Sequence, residues 1–301
     1  MKKIALCTII LPLLFLMACS DNHKSESSSQ KLVFTSILPQ KFFVEQIAGD
    51  KLEVEVMVQP GKSPATYEPL PEQVMRLSDA AIFFKIGVPF EKAFLPKISK
   101  SLPQLKIVDT SAGIEKRYLQ THSHSDGSHH AHQHQHEPQA ALDPHIWLSP
   151  LLVKSQAAII YETLVDLDPE NSEFYHQNYQ DFLNNLEQLH LNLVEIMEPV
   201  KGETILVFHP SFGYFTDLYG LEQIAIESGG KEPSPAHLQE IIQQAKDLNS
   251  RVIITQPEFS LKSAEVIAKA IEGSVISLNP LDPDYFFNLK NMATKIVESS
   301  R

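Results

Sequence analysis

Cysteine is almost missing from this 301-residue chain: the two present, Cys7 and Cys19, both fall in the first twenty positions. From residue 20 onward no disulfide can form and no thiolate can hold a metal. Any metal site must draw on His, Asp, Glu and backbone oxygen. Basic residues are also short, with 25 Lys and Arg against 37 Asp and Glu. The formal charge is −12, and −14 once Lys2 and Lys3 are set aside. Such a surface repels nucleic acid, so none is expected as a partner, and it attracts cations. No apolar run after residue 17 is long enough to cross a membrane. The chain has no His-Glu-x-x-His, no Gly-x-Ser-x-Gly and no phosphate-binding loop, which leaves hydrolase or nucleotide chemistry without a motif.

The first residues follow an export pattern. Lys2 and Lys3 precede the apolar run Ile4–Met17, which is interrupted mildly by Thr8 and Pro12. This length suits a signal-peptide core and is too short for a bilayer span. Leu16-Met17-Ala18-Cys19 is similar to the bacterial lipobox, in which the cysteine takes a lipid and begins the mature chain. Residues 1–19 therefore read as a lipoprotein signal ending at Cys19. The polar, serine-rich stretch 20–31 reads as a flexible tether. The expected location is the periplasmic or cell-surface side of a bacterial membrane, held by the lipid.

The remaining ~270 residues exceed one core of modal size, so two lobes are expected. In the first, 32–168, Lys31–Ser36 reads as a buried strand and Pro39–Gly49 as a helix. Leu52–Val58 alternates apolar and polar, as a strand with one wet face does. Glu72–Ser78 reads as a short helix and Ala80–Ile86 as a further strand. A linking helix over 169–198 follows from Asp168 as cap, Pro169 in the first turn and Glu170 at the positive end. Tyr175, Tyr179, Phe182, Leu186, Leu189, Leu193 and Ile196 then recur at helical spacing. About 30 residues give roughly 45 Å, enough to run along both lobes. In the second lobe, 199–301, strands over 204–208, 223–226, 251–255 and 274–278 alternate with helices, one opening at Ser234. The predicted fold class is α/β: two strand–helix lobes with parallel-type sheets joined by one long helix.

Three positions carry metal chemistry. His145 lies in Asp143-Pro-His-Ile-Trp-Leu148, where Pro144 fixes the backbone and Trp147 can wall the ring. His209 follows a strand, and Glu258 follows another within Gln256-Pro-Glu-Phe259. Ligands gather at the carboxyl ends of strands in open α/β sheets, and two imidazoles with a carboxylate suit Zn²⁺. His176 and His190 on the long helix, and His237 at a helix start, read as structural. Residues 121–137 hold seven more histidines: His122, His124, His129, His130, His132, His134 and His136. This segment has no aliphatic residue larger than Ala131. It reads as a loop that chelates borderline divalent ions in many geometries.

The ordered motifs Gly61-Lys-Ser-Pro-Ala-Thr-Tyr-Glu-Pro69, Asp143–Leu148, Phe208-His-Pro-Ser-Phe-Gly-Tyr-Phe215 and Gln256–Phe259, with the histidine-rich stretch ahead of the second, carry a family resemblance. From about Val33 to the end the chain resembles the ZnuA-like zinc and manganese substrate-binding proteins of bacterial ABC importers. That resemblance implies metal in the cleft between the lobes, with His145 and His209 as ligands and an importer permease and ATPase as partners. Manganese-type relatives tend to carry glutamate in place of His209, so imidazole favours Zn²⁺ over Mn²⁺. Two departures stand out. Ala65 occupies the place of a usual histidine, and Gln256 the place of a frequent glutamate. Glu68, Glu258, a water or a histidine of 121–137 are the candidates to complete the site. The reading that follows is a monomeric, non-enzymatic zinc-capture lipoprotein. The alternatives are a periplasmic zinc buffer, an adhesin-type lipoprotein or, further off, a zinc hydrolase.

Overall fold

A computed structural model describes residues 30–119, 141–227 and 231–300. Cys19, the signal, most of the tether and the histidine-rich segment lie outside them. The first lobe runs β1 (Lys31–Thr35), α1 (Leu38–Ala48), β2 (Leu52–Val56), α2 (Pro71–Leu77), β3 (Ile82–Lys85), α3 (Pro89–Ser101) and β4 (Lys106–Asp109). All of its strand pairs are parallel, in the order β2-β1-β3-β4. The central strands are covered on both faces and need apolar side chains throughout. Val33, Phe34, Phe83 and Phe84 meet that need and are fully buried. The edge strand β2 alternates instead. Leu52 and Val54 point inward, while Glu53 and Glu55 take the Arg76 guanidinium of α2 at 2.5 and 2.7 Å.

The second lobe repeats the plan with β5 (Thr204–Val207), α6 (Gly213–Tyr219), β6 (Glu222–Ala225), α7 (Pro235–Asp247), β7 (Val252–Thr255), α8 (Lys262–Ile271), β8 (Ser274–Ser277) and α9 (Tyr285–Ser299). Its sheet is also parallel, in the order β6-β5-β7-β8. The strand order therefore reverses between β1 and β3 in one lobe and between β5 and β7 in the other. Such switch points open crevices at the strands' carboxyl ends. At the first, Gly87 turns the chain at a φ of 99°, a conformation that favours glycine. Its N–H there reaches the buried Glu91 carboxylate at 2.8 Å.

Between the lobes come a 3-10 turn over Ile146–Leu148, α4 (Pro150–Leu167) and α5 (Ser172–Met197). The Ser149 hydroxyl caps α4 by accepting from the Leu152 N–H. The long helix is shorter than its sequence pattern suggests, because 3-10 turns take up Pro169–Asn171 and Glu198–Val200. Asp168 accordingly caps no backbone N–H. Its carboxylate accepts instead from the Tyr175 hydroxyl and the Asn171 amide, both at 2.7 Å. At 26 residues α5 is about 39 Å long. It packs on α1 and α4 of the first half and on α6 and α9 of the second.

Chain length alone suggests a separate core in each lobe, but the main core runs through both. Aromatic side chains make the join: Phe43 meets Tyr285 at 4.9 Å between centroids, and Phe42 meets Phe286 at 5.3 Å. The Trp147 indole donates to the Pro280 carbonyl, and the Tyr285 hydroxyl to the Trp147 carbonyl, each at 2.8 Å. A smaller cluster, with Ile241, Ala245 and Ile267, fills the space beneath α7 and α8.

Candidate metal centre

His145 sits between β4 and the 3-10 turn, where Pro144 and the turn fix its backbone. Its ring is buried, with Trp147 against it at 5.1 Å between centroids. Asp143, wholly buried, takes both the His145 backbone N–H at 2.9 Å and the ring Nδ1–H at 2.7 Å on Oδ1. A carboxylate there selects the tautomer that leaves Nε2 as a lone pair, the state a metal requires. Burial lowers the His145 pKa and its bond to Asp143 opposes the shift.

Asp143 is in turn held from two sides. Its N–H donates to the Arg117 carbonyl at 2.9 Å. Its carbonyl accepts from the Tyr214 hydroxyl, which itself receives the Arg117 N–H, both at 3.1 Å. Tyr214 belongs to α6, so this link crosses from one lobe to the other.

His209 leaves the end of β5 at the second lobe's switch point. Its Nδ1 meets the buried Glu227 carboxylate at 2.8 Å, and Phe259 stacks on its ring at 5.6 Å. Gln256, just beyond β7, grips the same residue by the backbone. Its amide donates to the His209 carbonyl at 2.9 Å and to the Ser211 hydroxyl at 3.0 Å, while its oxygen accepts the His209 N–H at 3.4 Å. The amide at 256 is thus occupied in positioning His209.

The two rings approach to 5.3 Å between centroids, at 74° to each other. One ion with bonds of about 2 Å can reach both. They line a single cavity of about 110 Å³ with Glu258, Ala65, Lys92 and Trp147. The Glu258 carboxyl is half-buried, and burial pushes its pKa up while the His209 ring opposes. It shares this wall with a neighbouring cavity under Pro60 and Gly61.

Of the positions singled out in the sequence, His145, His209 and Glu258 are therefore brought to one cavity. Glu68 is not: it is exposed and lines a separate hollow with Tyr67 and Thr66. The seven histidines of 121–137 lie outside the described residues, but Leu119 and Ala141, which flank that segment closely, line the metal cavity. Among the described residues no group of three His, Cys, Asp or Glu side chains is arranged around one ion. His176 and His190 lie against Tyr161 and Tyr219 on α5's flanks, and His237 is buried in α7 beside Glu240. Asp143 and Glu227 are not singled out by the sequence alone. Asp143 carries a local signal, two residues ahead of a histidine across a proline, whereas Glu227 offers only an acid at a strand end before Ser-Gly-Gly.

A family model described as the periplasmic zinc-uptake complex component A, ZnuA, matches residues 33–299. The high-affinity zinc uptake system protein ZnuA of Bacillus subtilis is 30% identical over 277 residues, covering 89% of this chain and 85% of the relative. A putative metal-binding protein of Chlamydia trachomatis is 30% identical over 287 residues, covering 95% and 98%. A crystal structure of ZnuA superposes with a TM-score of 0.81 at 38% identity, covering 90% of this chain and 99% of that one. The chain belongs to the ZnuA family, the zinc and manganese substrate-binding proteins of ABC importers.

Proposed function

We propose that this protein captures Zn²⁺ between its lobes on His145 and His209 and delivers it to an ABC-type importer's permease and ATPase. One observation carries the reading. Each imidazole has its Nδ1 on a buried carboxylate, Asp143 or Glu227, which turns both Nε2 lone pairs to metal binding. Two nitrogen donors favour zinc over manganese. Glu258, which lines the same cavity, is the third ligand we assign. The role is capture and release rather than catalysis.

Residues 121–137, with seven imidazoles and no fixed donor set implied by their spacing, act as a weaker collector. Cys19 carries the lipid that holds the monomer at the outer face of a membrane. Cys19→Ala should release the protein or leave its precursor uncut; unchanged fractionation and cleavage would count against the anchor.

Calorimetry on protein lacking 121–137 tests the site, because loop histidines otherwise mask a loss. His145→Ala and His209→Ala should each abolish tight zinc binding while the shortened parent keeps it. Parental affinity in either variant would remove that residue from the site, and loss in the shortened parent would place the loop among the ligands.

A further inference from the structure

Within the Phe208–Phe215 motif, Gly213 and Tyr214 do not line the metal cavity. They receive one side chain of the other lobe. A Cβ at position 213 would lie 2.6 Å from Arg117 Nη1, 2.8 Å from Cζ and 3.1 Å from Nε, so glycine is what lets the guanidinium seat on α6. Its Cζ lies over the Tyr214 ring, 5.9 Å from the centroid, within cation–π range. One turn further on, Asp217 accepts from Arg117 Nη1. The Arg117 side chain is mostly covered there, while Asp217 is exposed.

The same arginine stands behind His145. Its Nε lies 3.9 Å from Asp143 Oδ2, whose companion Oδ1 holds the His145 ring and N–H. Its backbone carbonyl takes the Asp143 N–H, and its own N–H reaches the Tyr214 hydroxyl. Gly213 opens α6 only four residues after His209. These contacts close a bracket behind the metal cavity, from His145 through Asp143 and Arg117 to α6 and His209. The guanidinium lies between two carboxylates, so it brings no excess positive charge towards a cation site.

Resting on the zinc reading above, we infer that Arg117 is a positioning residue for the metal. Seated on Gly213, Tyr214 and Asp217, it fixes the spacing of the two imidazoles across the lobes and slows zinc release. Ligand rings held from behind cannot drift apart, and such preorganisation acts mainly on the dissociation rate. Because Asp217 faces solvent, the hold weakens as salt screens the pair.

Stopped-flow release of zinc into an excess of a chromophoric chelator, from the full chain loaded with one equivalent, tests this through its slowest phase. At low salt, Arg117→Gln should release zinc about tenfold faster, since the buried Asp143 also loses its cationic neighbour. Asp217→Asn should accelerate release about threefold, within the reach of an exposed ion pair, and high salt should erase most of its difference from the parent. Adding Asp217→Asn to Arg117→Gln should change nothing further, because the pair is already broken. Arg117→Lys keeps the charge and should recover part of the retention. Gly213→Ala leaves every charge in place but displaces the guanidinium, and should also speed release. Parental release in Arg117→Gln, or effects of the two charge substitutions that multiply in the double variant, would overturn the inference and leave the zinc site standing. Should Arg117→Gln not fold, parental release in both Asp217→Asn and Gly213→Ala overturns it equally. A parent that retains no zinc would overturn the zinc reading itself, and this inference with it.

Discussion

At the scale of single residues, the proposed zinc site rests on two carboxylates set behind its imidazoles. Asp143 receives two hydrogen bonds from His145 on one oxygen, and Glu227 holds His209. A ligand ring whose other nitrogen is fixed loses no orientational freedom on binding, and its basicity rises. Asp143→Asn keeps the size but removes the charge that selects the tautomer. It should lower zinc affinity by roughly 10- to 100-fold with the far-UV spectrum unchanged, as competition against a fluorescent chelator would measure; parental affinity would reduce Asp143 to a packing role. These partners show where sequence reading stops. His145 and His209 stood out because they sit in short motifs at strand ends. Glu227 is 18 residues from its histidine and reaches it only through the parallel pairing of β5 with β6. Gln256 reads as a lost ligand in one dimension and as a backbone clamp in three.

At the scale of elements, α5 was the most legible feature, since its apolar residues repeat along one face for 26 positions. Tyr175, Phe182, Leu186, Leu189 and Leu193 are all buried there. The β2 alternation was equally plain. Sequence pattern alone does not reveal β4, whose four residues are half-buried or exposed, α3, where Pro96 interrupts a helical pattern, or α4, whose 18 residues are largely apolar and leave little contrast between faces. At the start of α5, Asp168 binds side chains in place of the backbone cap that its position suggests. The Tyr175 hydroxyl, together with Asn171 and Lys31, holds its carboxyl below the usual range while burial opposes. A depressed carboxyl contributes stability above its unfolded pKa, ~3.9, and loses it as pH falls through the lower folded value. Asp168→Asn should therefore cost about 1 kcal/mol at neutral pH, with the gap from the parent closing in acid. Urea melts at pH 7 and pH 3 would show it; an equal cost at both would mean that the charge plays no part.

At the scale of the whole molecule, the two sheets are copies of one topology placed so that their switch points face a common cavity. The lobes share a core through Phe42, Phe43, Phe182 and Tyr285, and Trp147 ties the His145 turn to the Pro280 loop. Packing from both lobes thus fixes the walls of the cavity, which on the proposed zinc reading lowers the ordering cost of capture. On the proposed function, one zinc ion bridges the lobes through one imidazole from each. X-ray absorption at the zinc edge, on protein lacking 121–137 and loaded with one equivalent, reads that shell. Two imidazole nitrogens at about 2.0–2.1 Å are expected, with oxygen or nitrogen completing the shell and no sulfur, and one fewer imidazole in His145→Ala or His209→Ala. A zinc shell with fewer than two imidazoles, or one unchanged by both substitutions, would contradict it.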